Sequence, residues 1–246
     1  ALNGNASIHN FTSPAIRFNL NIDDINLDRY LPPSTETPAA TPATAATAGA
    51  IALPLETLRT LNIDGSARIN KLKVSNLSIT EAAVSTTAHN GLIKLHPVSA
   101  HLYGGTYKGH IELDATGNEP AFSFDEQLSN LQVQPFLHDL LETDFISGIA
   151  NAAIKINTHG KSFDDLRKTL NGNMTFSATE GRIDGHNLLG SIQSDYAKFV
   201  RTLVDDVEKT NQTVFSRFAG TVTIKSGLAS TQDLSLNSSQ LDVNGK

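Results

Sequence analysis

The sequence predicts a mainly β protein with a few helices: a long curved antiparallel sheet of repeated strands, capped by short helices and one long amphipathic helix. Three observations predict it. Apolar and polar residues alternate in stretch after stretch, as in Met174, Phe176 and Ala178 against Thr175, Ser177 and Thr179, which gives a strand one apolar and one polar face. A glycine opens many of these stretches, at Gly4, Gly65, Gly109, Gly148, Gly172 and Gly220. The 19 residues from Pro14 align without gaps with the 19 from Pro120. Ile16 then matches Phe122, Phe18 matches Phe124, Ile22 matches Leu128 and Leu27 matches Val133; the exception sets Leu20 against Glu126. Similarity of this kind indicates like units added along a sheet.

The chain divides into three parts. Residues 1–31 read as the end of a preceding β repeat: a strand, a turn at Thr12-Ser13-Pro14, a strand from Ile16 to Ile22, and a short apolar helical turn from Leu27 to Leu31. Residues 32–50 are rich in Pro, Thr and Ala and have too little apolar surface to fold against anything, so a disordered loop or linker is expected. Residues 51–246 form the main β-rich domain. Pro54 opens a short helix with Leu55, Leu58 and Leu61 on one face. Strands follow at Gly65–Val74, Leu77–Thr86, Gly91–His101, Thr106–Asp114 and Phe122–Leu128, with turns at Ser75-Asn76, Asn90-Gly91, Gly104-Gly105 and Gly117-Asn118. That spacing is the spacing of an antiparallel meander. Pro135 opens a second short helix through Leu137, Leu140 and Leu141, and a strand runs from Gly148 to His159.

In the next stretch Ser162 is a helix N-cap, with Asp165 where a capping-box acid belongs. Phe163, Leu166 and Leu170 share one face, and Gly172 stands where a left-handed C-terminal residue is expected before the Met174–Ala178 strand. From His186 to Lys209 the apolar period becomes helical, through Leu188, Leu189, Ile192, Tyr196, Phe199, Val200, Leu203, Val204 and Val207. Strands at Val214–Lys225, Leu228–Leu236 and Leu241–Asn244 complete the chain.

Composition excludes several functions. With 246 residues, 39% of them hydrophobic, the chain can bury a core. A net charge of −6 without a basic block argues against nucleic acid as a partner and against tight docking on an anionic membrane surface. The absence of cysteine excludes disulfides, thiol catalysis and thiolate metal sites. No apolar run reaches the ~18–20 residues of a membrane span. The chain begins at Ala1 in what reads as mid-strand, which suggests a segment of a longer protein.

Catalytic motifs are scarce. HExxH, GxSxG, a Walker loop and a dinucleotide fingerprint are all missing from the sequence, so an enzyme is not expected, nor is a cofactor. Of the eight scattered histidines, His96, His101 and His110 fall where a hairpin can bring them together as a metal site; solvent-facing strand histidines are the simpler account. The adjacent pairs Asp23-Asp24 and Asp205-Asp206 both read as solvated; neighbours on a strand point to opposite faces, so the first pair cannot easily share a substrate. What remains is the sheet itself. Either it curls into a trough whose apolar side holds something oily, or sheet and helices close on each other; the pattern alone leaves both open.

Three passages carry a resemblance: LYGGTYKG at 102–109, DLRKTLNGNMTFSATEGRIDGHNLL at 165–189, and residues 213–246. Together they resemble the carboxy-terminal region of AsmA-like proteins over residues 54–246, and residues 1–31 resemble the preceding repeat. The resemblance implies a long periplasmic β-rich body anchored in the inner membrane of a Gram-negative bacterium by a segment absent here. It also implies similarity to chorein-type, bridge-like lipid transfer proteins, whose rolled sheet carries acyl chains in an apolar trough. The implied function is non-enzymatic transfer of phospholipid between inner and outer membrane, in support of outer-membrane integrity. Phospholipid acyl chains are the implied partner, with periplasmic or outer-membrane proteins as further ones. The lining expected from strand parity is Ile111, Leu113, Phe122, Phe124, Ile154, Ile156, Met174, Phe176, Val222 and Ile224. The helix over 186–209 would cap the trough end, since Asp195, Asp205, Asp206 and Glu208 outweigh Lys198 and Arg201. The alternative class is a periplasmic scaffold whose free sheet edges pair with partner strands. A continuous apolar strip favours carriage, and a closed core with one exposed edge favours the scaffold.

Overall fold

The computed structural model describes residues 1–10, 14–30, 53–184, 212–238 and 242–245. The Pro/Thr/Ala-rich stretch 32–50 and the long helix expected over 186–209 lie outside them.

The described strands build one open, curved sheet of 13 strands. They are β1 (Leu2–His9), β2 (Ala15–Asn26), β3 (Asn62–Val74), β4 (Leu77–His89), β5 (Leu92–Leu102), β6 (Gly105–Asp114) and β7 (Ala121–Gln132). Then follow β8 (Ile146–His159), β9 (Asn171–Asp184), β10 (Gln212–Lys225), β11 (Leu228–Thr231), β12 (Leu234–Asn237) and β13 (Asp242–Gly245). From β1 to β10 each strand pairs with its successor; β11 and β12 both pair with β10, and β13 with β12. Three helices punctuate the strands: α1 (Leu55–Thr60), α2 (Val133–Leu141) and α3 (Phe163–Thr169).

The meander is antiparallel with one exception. β2 and β3 run parallel, from Ala15 beside Asn62 to Asn26 beside Lys73. A parallel neighbour requires a crossover connection, and residues 27–61 supply it; alternation within each strand carries no information about direction. The internal repeat is legible here. β2 leads into a 3-10 turn at Leu27–Arg29, and β7 leads into α2 at Val133, the residue aligned with Leu27.

Tight two-residue turns join several hairpins. Ser75-Asn76, Asn90-Gly91, Tyr103-Gly104 and Ser226-Gly227 all have positive φ at both positions, the turn whose twist matches the strands. The third turn lies one residue before the expected Gly104-Gly105. This shift gives the LYGG run its structural meaning. Tyr103 leaves the turn with its hydroxyl donating to Asp139 of α2 at 2.5 Å and accepting from the Ser78 N–H at 3.1 Å. Its ring meets Phe136 edge-on, so one residue ties α2 to the hairpin ends.

Three local expectations need correction. Gly172 is not a helix C-cap. The helix ends at Thr169, whose hydroxyl accepts from the His159 N–H at 3.0 Å, and Leu170 is already extended. Gly172 stands inside β9 at φ +148, where a Cβ would lie 2.1 Å from the Lys155 carbonyl oxygen. Gly4, in the same Leu-Asn-Gly-Asn tetrapeptide, has φ +150 and would meet the Asn19 carbonyl at 2.1 Å. The repeated tetrapeptide thus encodes a close strand approach, not a helix stop. Phe163 also fails to pack; it is 70% exposed at the start of α3. The N-cap itself stands: the Ser162 oxygen accepts from the Asp165 N–H at 3.1 Å and its hydroxyl donates to the Asp165 carboxylate at 2.8 Å. The strand expected over Leu228–Leu236 is split into β11 and β12 because Asp233 turns in to accept from the Thr221 N–H at 2.7 Å.

Among the described residues the buried apolar side chains are mostly alanines, with Leu131, Pro120 and one aromatic cluster. Phe215, 1% exposed, packs with Ala178 and Leu236, and Phe218, Ile183 and Ala150 surround them. This cluster closes the β9–β10–β12 end of the sheet.

The Gly172→Ala protein is expected to lose more than about 1 kcal/mol, because the new Cβ meets both a forbidden φ and a backbone oxygen. Gly117→Ala, where the nearest atom is 3.6 Å away, is expected to change stability by less than about 0.5 kcal/mol. Urea midpoints of the two variants check both expectations.

Candidate functional site

Residues paired across neighbouring strands share a face of the sheet. One row runs Ala6, Phe18, Gly65, Thr86, Leu95, Ile111, Phe124, Ile156, Gly172 and Ile224, and so crosses ten strands. Two residues along the strands, a parallel row runs Leu20, Ala67, Val84, Val98, Gly109, Glu126, Ile154, Met174 and Val222. On the other side Ile16, Ile63, Ala88, Ile93, Leu113 and Phe122 form a third. At about 4.8 Å per strand the first row extends roughly 43 Å across the sheet.

All ten residues expected from strand parity lie on this one face. Leu113 faces Phe122; Ile111, Phe124, Ile156 and Ile224 lie in the first row; Ile154, Met174 and Val222 lie in the second. Phe176 faces Ala152 and Gly220, and its ring packs edge-on against Phe218 at 5.2 Å, which joins it to the aromatic cluster. Each of the ten is half-buried: none is sealed in a core and none stands free in solvent. The opposite face is polar. Lys155 pairs with Asp125 at 3.0 Å, and Ser123, Asn157, Asn173 and Thr223 stand exposed around them.

Bulky side chains on the apolar face lie over glycines of the adjacent strand. A Cβ at Gly65 would strike the Phe18 ring at 2.5 Å, and one at Gly181 would strike Phe215 at 2.1 Å. Both rings use the space that a missing side chain leaves, which is also how glycines in strands are shielded.

Among the described residues of these rows one carboxyl interrupts the apolar face, and sequence pattern marked it only as a mismatch in the repeat. Glu126 lies opposite Gly109 and beside Ile154. The Tyr107 hydroxyl donates to its Oε2 at 2.5 Å. Its Oε1 is buried and has no hydrogen-bond partner among the described residues. Burial pushes the Glu126 carboxyl above its ordinary range and Asp125 adds to this, while the Tyr107 hydrogen bond and His110 oppose it. Tyr107 is likewise held well above the usual tyrosine range, first by burial and then by the carboxylate beside it.

The histidines do not converge. His96 and His110 stack with ring centroids 4.5 Å apart, but His101 turns away to Glu81 at 3.2 Å. No group of three metal-ligating side chains occurs among the described residues. A hollow of about 710 Å³ beside the two stacked rings belongs mainly to the polar face, with Lys108, Asp125 and Lys155 on its wall. Asp23 and Asp24 lie exposed on the surface; Asp205-Asp206 lies outside the described residues.

Fold and face together define an open-sheet trough protein: one long apolar floor, a polar back, and short helices at strand ends. The chain belongs to the AsmA family, whose model matches residues 4–234. It is similar to protein AsmA of Escherichia coli (strain K12), with 23% identity over 170 residues. That match takes in 69% of this chain and 28% of the relative, so the chain spans under a third of the relative's length. No solved structure matches.

Glu126→Gln tests the carboxyl's place in the fold. A raised pKa means that the unfolded chain gives up this proton at lower pH than the folded one. The ionised carboxylate therefore weakens the fold as pH rises past the ordinary carboxylate range. The stability of the Glu126→Gln protein relative to the parent is expected to increase between pH 4 and pH 7. Urea unfolding at the two pH values measures it.

Proposed function

We propose that this chain is a segment of a non-enzymatic lipid carrier in the envelope of a Gram-negative bacterium. Phospholipid acyl chains lie along the apolar floor, headgroups stay in water at the open side, and lipid passes between inner and outer membrane. The longer protein is held at the periplasmic face of the inner membrane by a segment outside these residues. Supply of phospholipid in this way supports outer-membrane integrity. Family membership is consistent with an envelope role.

The observation that carries the reading is the continuous apolar face that crosses the sheet from β1 to β10, half-buried from β2 onward. At roughly 43 Å by strand spacing it exceeds the ~30 Å hydrocarbon core of a bilayer, so it can hold an extended acyl chain anywhere along its length. Each methylene moved from water to such a surface gains about 0.8 kcal/mol. No covalent chemistry is required. A second reading rests on β1, which stands at an edge of the described sheet and leaves its outer backbone groups open to strand addition.

A photoreactive residue placed at Ile154 in the full-length protein in cells, and separately at Lys155, separates the readings. Phospholipid adducts at 154 and not at 155 are expected by mass spectrometry. Protein adducts without lipid at either position would turn the assignment to the scaffold. Lipid at 155 alone would place the lipid path on the opposite face.

A further inference from the structure

The apolar floor has one ionisable group in its middle, and it is built in. Glu126 is on β7, in the row that continues through Val98, Gly109, Ile154 and Met174. Gly109 makes the room: a Cβ there would fall 1.8 Å from Oε2 of Glu126 and 2.5 Å from the Tyr107 hydroxyl. The strand does not need a carboxyl at this point, since the aligned position of the internal repeat holds Leu20. Tyr107 satisfies one oxygen, and the other is buried without a partner among the described residues.

We propose that Glu126 couples occupancy of the trough to proton uptake: an acyl chain crossing β6 and β7 covers the carboxylate, and the carboxyl binds a proton as the chain arrives. This rests on the reading of the trough as a path for acyl chains. A chain that runs across the strands along this floor meets β7 at Glu126. Glu126 is half-buried with one oxygen already sealed, so hydrocarbon over the rest of the side chain deepens the desolvation of the ionised form, and such groups neutralise instead of staying charged. The neutral acid keeps the Tyr107 hydrogen bond, because Oε2 still accepts.

The groups able to compensate the charge are few. On β6, Tyr107 faces the carboxyl, while His110 lies one residue beyond Gly109, paired with Asp125 and therefore on the opposite face. On its own strand Asp125 raises the carboxyl's proton affinity and is itself engaged by Lys155. β8 offers Ile154, and Lys155 points to the other face. No cation of the described residues pairs with Glu126 on the floor. By reciprocity, a ligand that raises the proton affinity of Glu126 binds more tightly at low pH.

The test is fluorescence titration of the protein with N-phenyl-1-naphthylamine, an apolar probe uncharged from pH 5 to pH 8. The parent protein is expected to bind more weakly as pH rises, by up to about tenfold for each unit by which the probe raises the carboxyl's pKa. Glu126→Gln is expected to bind with no such slope. A parent protein that binds equally at all pH values, or a Glu126→Gln protein that keeps the parent's slope, overturns proton coupling and leaves the trough reading standing. No probe binding by either protein at any pH overturns the trough reading and the coupling with it.

Discussion

The structure depends on register. Side chains alternate with a period of two, so a slip of one residue between any two strands would send a whole strand's apolar set to the wrong face. Across ten strands no such slip occurs. Where the pairing is interrupted, the interruption preserves the face. Leu128 and Leu131 are three apart, yet both pair with alanines of the apolar face of β8, Ala152 and Ala150, because Asn130 at φ +58 takes up the odd residue. In β5 the pairing passes from Leu95 to Val98 in the same way, opposite Ile111 and Gly109. These bulges bend and twist the strands while the floor stays apolar, which is how a flat ladder becomes a curved one.

A floor of this length also has to be level. Large rings set side by side on adjacent strands would crowd, and glycine opposite a ring relieves that. Phe18 over Gly65 and Phe215 over Gly181 show the arrangement with aromatic partners. Glu126 with Tyr107 over Gly109 uses the same geometry for a polar pair. The glycines that begin so many strands are therefore of different kinds. Gly65 and Gly109 give up volume to a neighbour, and Gly4 and Gly172 allow a backbone conformation and a close approach that no side chain permits.

Most of the fold was legible in the sequence because its signals are local. Period-two alternation placed the ten candidate residues on one face, and the gap-free repeat paired Leu27 with Val133, where a 3-10 turn and α2 begin, although the second helix was expected only from Pro135. What was not legible depends on partners distant in sequence. The parallel pairing of β2 and β3 sets residues 47 apart side by side, and strand alternation carries no sign of direction. Gly172 was misread because the same residue suits a helix end and a crowded strand, and only the nearby Lys155 carbonyl decides between them. Glu126 showed as a lone mismatch against Leu20; its buried, unpartnered oxygen is visible only once Tyr107 and Gly109 are beside it.

The described part of the apolar face is built by repetition. Aliphatic and aromatic groups recur in each row at one strand spacing, so a hydrocarbon chain finds similar contacts along most of its length. A surface of equal steps holds an apolar ligand without trapping it, which is what passage along a path requires and what a binding pocket avoids. The charged step among the described rows is the Glu126–Tyr107 pair. A carboxyl in that place makes the depth of the step depend on its protonation, whereas the residue at the aligned position of the repeat, Leu20, would leave the floor uniform. The chemical interest of the trough is therefore concentrated at the point where its otherwise regular pattern fails.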